Sequence, residues 1–234
     1  MKSHKALILL VTTLAVLLTA CSSEKKLAGH MEKAQTYLAS GEYDKAEIEL
    51  KNAIRLDPEG TEAAALLGQI YFEQGRLVQA APILYAVSIR DPDNLDNRVN
   101  LALAYLASGR YDETRKEALA VLDKRPEDAQ APIVLAESAR DADSITETRI
   151  ALESLEQRSG PTAAIKVGLA TLAFRSGDPE GATAIIDEAI ELDPDFGPAY
   201  GARGMLQWAQ GDKDSAKISV AKSANHKSLE WHIT

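Results

Sequence analysis

Few side chains in this sequence have the type and spacing that chemistry requires. His4, His30, His226 and His232 are scattered through 234 residues. No HExxH, GxSxG, CxxC or Gly-rich phosphate-binding pattern is present. The stretch Asp91 to Asn97 (DPDNLDN) sets carboxylates at a calcium-like spacing. It lacks the loop glycine and the closing glutamate of a calcium loop, and it reads as a turn. The remaining charges read as solvated helix faces. The sequence therefore predicts a chain that is not an enzyme, with no cofactor, no metal and no small-molecule substrate.

The lone cysteine, Cys21, is the one residue placed for covalent chemistry. It follows Lys2 and Lys5 and the apolar run Ala6 to Ala20 (ALILLVTTLAVLLTA). Fifteen apolar residues are fewer than the roughly 20 that a spanning helix needs. Together with the basic start and the small residues at the boundary, they read as a signal peptide over 1–20. Leu18-Thr19-Ala20-Cys21 resembles the bacterial lipobox. The resemblance implies cleavage before Cys21 and its modification by diacylglycerol and an N-acyl chain. Two or three acyl chains anchor a protein far more firmly than one, at ~0.8 kcal/mol per buried CH₂. Ser22, in place of an aspartate, implies sorting to the outer membrane, facing the periplasm. Residues 21–26 then read as the lipidated cysteine and a short extended tether.

Stepping along the chain, the composition is 45% apolar but only 5% aromatic, with 26 basic and 35 acidic residues and a net charge of −9. A body this acidic should be repelled by nucleic-acid phosphate and anionic membrane surfaces. One cysteine excludes an internal disulfide framework.

The elements that carry these residues repeat. Pro58, Pro92 and Pro126 lie 34 residues apart, as do Gly41, Gly75 and Gly109, and Tyr37, Tyr71 and Tyr105. The period extends to six units: 27–60, 61–94, 95–128, 129–162, 163–196 and 197–230, leaving a tail at 231–234. One small-residue position is Ala34, Gly68, Ala102, Ala136, Ala170 and Gly204. A second is Ala46, Ala80, Thr114, Thr148, Ala182 and Ala216. Small residues there let paired helices cross closely, the glycine caps the first helix of each pair, and the acid-or-basic residue before proline ends the second. Unit four departs from the pattern: Asp143, Gly160 and Ala139 replace the Gly, Pro and Tyr, which predicts irregularity at 140–146. After Ala224 the sequence NHKSLEWHIT has no clear capping helix. Either it folds over the last pair, or the chain is a shortened form of a longer array.

The 34-residue pattern resembles the tetratricopeptide repeat. It implies an all-α fold, a right-handed α-solenoid of six helix-turn-helix repeats stabilised by nearest-neighbour stacking. In that family the inner face uses the second, fifth, ninth, twelfth and thirteenth residues of each repeat. The resemblance thus implies a partner-binding groove at Met31, Leu38, Gln69, Phe72, Val99, Leu103, Leu106, Arg140, Val167, Phe174, Met205 and Trp208. The Lys/Asn clamp that some members use to bind chaperone termini is missing. An apolar groove suits an extended peptide or an amphipathic helix of another envelope protein. The runs ASGEYDKAEIELKNAIRLDP and LLGQIYFEQG are similar to the tetratricopeptide lipoproteins of exosortase-type exopolysaccharide systems. Pilotin-like lipoproteins, which assist secretin and type IV pilus assembly, and adaptors for peptidoglycan enzymes share the plan.

Overall fold

The computed structural model describes residues 23–225. The expected signal peptide over 1–20, Cys21 and the 231–234 tail lie outside the described residues. Those described form helices joined by short turns, with no strand among them. The chain divides at Asp91/Pro92 into two compact units.

Unit 1 holds α1 (23–39), α2 (Tyr43–Leu56), α3 (Glu62–Glu73) and α4 (Leu77–Arg90). Residues 23–26, expected as extended tether, are instead the first turn of α1. Ser-Glu-Lys-Lys contains neither Gly nor Pro, so nothing in it opposes helix. α3 packs on α2 and α4, and the crossing with α4 is close: a Cβ at Gly68 would sit 2.7 Å from Leu84 Cδ2. A polar network ties the two helix pairs. The Glu47 carboxylate accepts from Arg76 Nη1 at 2.6 Å, Tyr71 Oη at 2.8 Å and Lys51 Nζ at 2.5 Å. Chiefly through the Arg76 bond, its pKa falls from 4.5 to about 2. His30 Nδ1 meets Glu49 Oε2 at 2.5 Å, linking α1 to α2.

Unit 2 holds α5 (Leu95–Ala107), α6 (Tyr111–Lys124), α7 (Ala131–Ser138), α8 (Ala142–Ser159), α9 (Ala163–Arg175), α10 (Pro179–Leu192), α11 (Gly197–Ala209) and α12 (Lys213–Asn225). The first helices of the pairs, α5, α7, α9 and α11, pack side by side in sequence. The second helices pack on the first helices before and after them, without comparable contact to one another. Closer spacing in the first row makes it the inner face of unit 2. Two adjoining cores result. One centres on Val99, Leu135, Leu152, Ile165 and Leu172, the other on Val167, Ile186, Phe196 and Leu206. Each repeat buries its apolar face against its neighbours, which is how a chain poor in aromatics folds.

The same turn closes five of the six pairs. The Gly41 N–H bonds to Leu38 O at 3.0 Å, and the Glu42 N–H bonds to Tyr37 O at 2.8 Å. This is the Schellman arrangement, in which the residue after the helix takes positive φ. Gly41, Gly75, Gly109, Gly177 and Gly211 do so, at φ between 70° and 88°, where a Cβ would be strained. The fourth pair is irregular, and its turn at 139–141 overlaps the start of the expected 140–146. Ala139 is extended (φ −79°, ψ 114°), and Asp141 forms a capping box with Ser144. α8 therefore starts at Ala142 and α7 ends at Ser138. Relative to the 34-residue register, α7 loses three C-terminal residues and α8 gains three at its start.

Candidate functional site

The predicted inner-face residues fall into three environments. In unit 1, Leu38 is buried, while Met31, Gln69 and Phe72 are half-buried. Met31 lines an open cleft of about 560 Å³ between α1, α2 and α3, with Leu27, Ala53 and Ala63. Gln69 Nε2 donates to Glu73 Oε1 at 2.9 Å on its own helix. In unit 2, Val99 and Val167 are core residues, and Leu103 and Leu106 pack half-buried against the first core. Leu38, Val99 and Val167 are thus corrections: they offer no surface to a partner. Their side chains are apolar and short enough to be enclosed between adjacent helices, and burial there is favourable.

Arg140, Phe174, Met205 and Trp208 are the accessible members in unit 2. Phe174 is 42% exposed, Met205 66% and Trp208 58%. Other large apolar side chains are as exposed, Val78 and Ile218 among them, but those lie on second helices, whereas these three lie on the first helices of successive pairs. Phe174 lies in the last turn of α9, and Met205 and Trp208 lie on α11, which packs against α9. The backbone there is rigid, because Phe174 O and Trp208 O accept the Gly177 and Gly211 N–H groups. Lys213 Nζ lies over the Trp208 ring, 5.3 Å from its centroid. Arg140 falls in the break between α7 and α8, with its guanidinium 4.6 Å from the Tyr111 ring centroid.

The candidate calcium stretch is used up by structure. Asp91 ends α4, and Asn94 caps α5 by accepting from Asn97 N at 3.0 Å. Asp93 pairs with Lys124, and Asp96 with Arg125 at 2.9 Å. Among the described residues no group of three or more His, Cys, Asp or Glu side chains could hold a metal ion. No described helix is long and apolar enough to cross a membrane.

Two tetratricopeptide-repeat family models match the sequence, one over residues 31–94 and 167–224, the other over 71–137. The chain belongs to the tetratricopeptide repeat family. Tetratricopeptide repeats are scaffolds for protein–protein interaction and generally lack catalytic activity. No curated protein matches the sequence. Among solved structures, the chain is similar to Pseudomonas aeruginosa PilF at 15% identity and a TM-score of 0.58, over 90% of this chain and 96% of that one. It is also similar to MamA from Desulfovibrio magneticus RS-1, at 16% identity and a TM-score of 0.53, over 88% and 97%. Yeast Tom70 shares the fold at 22% identity and a TM-score of 0.51, over 79% of this chain and 40% of that one. At these identities the likeness concerns the fold alone.

Arg175 is not among the residues expected on the inner face, although it holds a repeat position that the family uses there. Arg175 is the thirteenth residue of the fifth tetratricopeptide repeat and closes α9. Its Nη1 donates to Ala136 O at 2.8 Å and Ala139 O at 2.7 Å, capping the shortened α7 of the preceding repeat. The available signal was composition: the thirteenth position reads Ala39, Glu73, Ala107, Asp141, Arg175 and Ala209, with one cation.

Proposed function

We propose that this tetratricopeptide-repeat chain is a lipid-anchored scaffold that holds another envelope protein on the inner face of its repeats, in cell-envelope assembly or exopolysaccharide export. The observation that carries the reading is the exposed row Phe174, Met205 and Trp208 on α9 and α11. Large apolar side chains on a rigid surface are the anchors around which protein interfaces form. The anchor part rests on Leu18-Thr19-Ala20-Cys21, and Ser22 after the cysteine favours the outer membrane.

The test is made in cells. A photo-crosslinking amino acid in place of Met205 should capture one envelope protein reproducibly, and Phe174→Ala or Trp208→Ala should reduce capture at least fivefold while leaving the helical circular dichroism intact. Capture unchanged in both variants would remove the inner face from the reading. Separately, Cys21→Ser should release the protein from the membrane fraction; retention there would overturn the lipid anchor. A secretin subunit as the captured species would favour the pilotin-like role over export.

A further inference from the structure

One second helix departs from the others on the side that packs against nothing in its unit. α4 reads LVQAAPILYAVSIR, and its one charged residue is Arg90. Ala80, Leu84, Val87 and Ser88 form its buried face, with Leu84 set beside Gly68 of α3. At about 3.6 residues per turn, Val78, Pro82, Tyr85 and Ile89 fall on the opposite face. That face is open: Val78 is 90% exposed, Tyr85 50% and Ile89 65%, and Pro82 is exposed too. Three other second helices carry charge at both ends of the same stripe. Asp44, Asp112 and Glu180 hold the Val78 position, and Arg55, Asp123 and Glu191 hold the Ile89 position. An uncharged row containing an aromatic side chain has the composition of an interface core.

The stripe matches its own copy in spacing and in charge. Steps of four, three and four residues separate Val78, Pro82, Tyr85 and Ile89, a pattern that reads the same in both directions. Two α4 helices laid antiparallel therefore set Val78 against Ile89 and Pro82 against Tyr85, each twice, as a twofold interface requires. With no charge in the row, facing a copy brings no like-charge repulsion. The arginines at the two ends are already engaged, Arg90 with Glu59 at 3.6 Å and Arg76 with Glu47 at 2.6 Å. Antiparallel alignment also places each helix N-terminus beside the C-terminus of its neighbour. A lipid surface fits less well, because interfacial helices border their apolar side with Lys or Arg and this chain has a net charge of −9.

We propose that the chain self-associates through α4 as an antiparallel twofold dimer, with Pro82 and Tyr85 at its centre and Val78 and Ile89 at its ends. One helix stripe offers less than the ~800 Å² per partner of a standard interface. The dimer is therefore weak, with a dissociation constant on the order of 10–100 μM. It uses a face other than that of the scaffold reading and does not depend on it.

Sedimentation velocity of the full chain in mild detergent, over a concentration series, should show a monomer–dimer equilibrium. Val78→Asp and Ile89→Arg introduce the residue types that α2 carries at these positions, Asp44 and Arg55, so both variants should keep their helical circular dichroism. Each alone should weaken the dimer by roughly tenfold or more, since each buries an unpaired charge. Mixed in equal amounts, the two variants should recover association, because the antiparallel register sets the new carboxylate against the new guanidinium. A monomer at every concentration, a dimer that both variants leave intact, or a mixture that stays monomeric would overturn the proposal. A photo-crosslinking amino acid at Tyr85 that captures other proteins but never a second copy would assign the stripe to a different partner and overturn it. Binding of a monomeric chain to phosphatidylethanolamine vesicles, lost in Val78→Asp, would assign the stripe to lipid and likewise overturn it. Capture from Met205 should be unchanged in Val78→Asp, so failure here leaves the scaffold reading standing.

Discussion

Single charged groups set much of what can be tested. Glu47 joins α2 to α3 through Tyr71 and to the turn before α4 through Arg76, with Lys51 of its own helix as a third donor, and its pKa lies near 2. A carboxyl whose folded pKa is depressed stabilises fully above its unfolded value and loses that contribution as pH falls through the folded one. The window is therefore from pH 4.5 down to about 2. Glu47→Gln should lower stability at pH 7 by about 2 kcal/mol, the scale of hydrogen bonds to a charged group. The difference between natural and variant protein should then shrink as urea melts are taken from pH 4.5 towards 2. A constant difference would mean that Glu47 acts by packing alone. Arg175 makes a parallel case. Arg175→Met keeps the apolar stem but orphans the Ala136 and Ala139 carbonyls. About 1–3 kcal/mol should be lost, with faster amide exchange concentrated in α7.

Helices and turns were the most legible level of this chain. The 34-residue recurrence of Gly, Tyr and Pro predicted paired helices, and the positive-φ glycines give the physical reason it works. The fourth pair resisted because its turn uses other chemistry. An extended Ala139 and the Asp141–Ser144 capping box need no glycine, so the register pointed to Asp143 while the chain turned earlier. Site residues were less legible for a related reason. Repeat position tells which way a Cα faces, not whether Val99 or Val167 is enclosed by its neighbours. Adding a glycine and removing one at equivalent positions should both destabilise. Gly177→Ala places a Cβ at φ 82° and should cost ~1 kcal/mol. Asp143→Gly, which restores the repeat pattern, falls inside the first turn of α8 and should also destabilise, by about 0.5–1 kcal/mol. Thermal melts of both variants check this; stabilisation by Asp143→Gly would mean the capping box is not what begins α8.

At the scale of the molecule, repeats that touch only their neighbours imply a stability that varies along the chain. Unit 2 has two cores rather than one, and Leu152 is wholly buried in the first. It fills the space beside α9: a Cβ on Gly168 would come within 2.9 Å of Leu152 Cδ1. Leu152→Ala should therefore open a cavity there and cost about 2–5 kcal/mol. Nearest-neighbour coupling predicts where that loss appears. Hydrogen exchange should accelerate most in α7, α8 and α9, less in α11 and α12, and least in α2 and α3, which belong to the other compact unit. A uniform acceleration would show that the repeats unfold together as one cooperative body. The graded outcome also bears on function, since the exposed Phe174, Met205 and Trp208 sit on helices beside this core. Leu152→Ala should then weaken partner capture from Met205 in proportion to the loss of protection in α9, although Leu152 itself is buried beyond the reach of a partner.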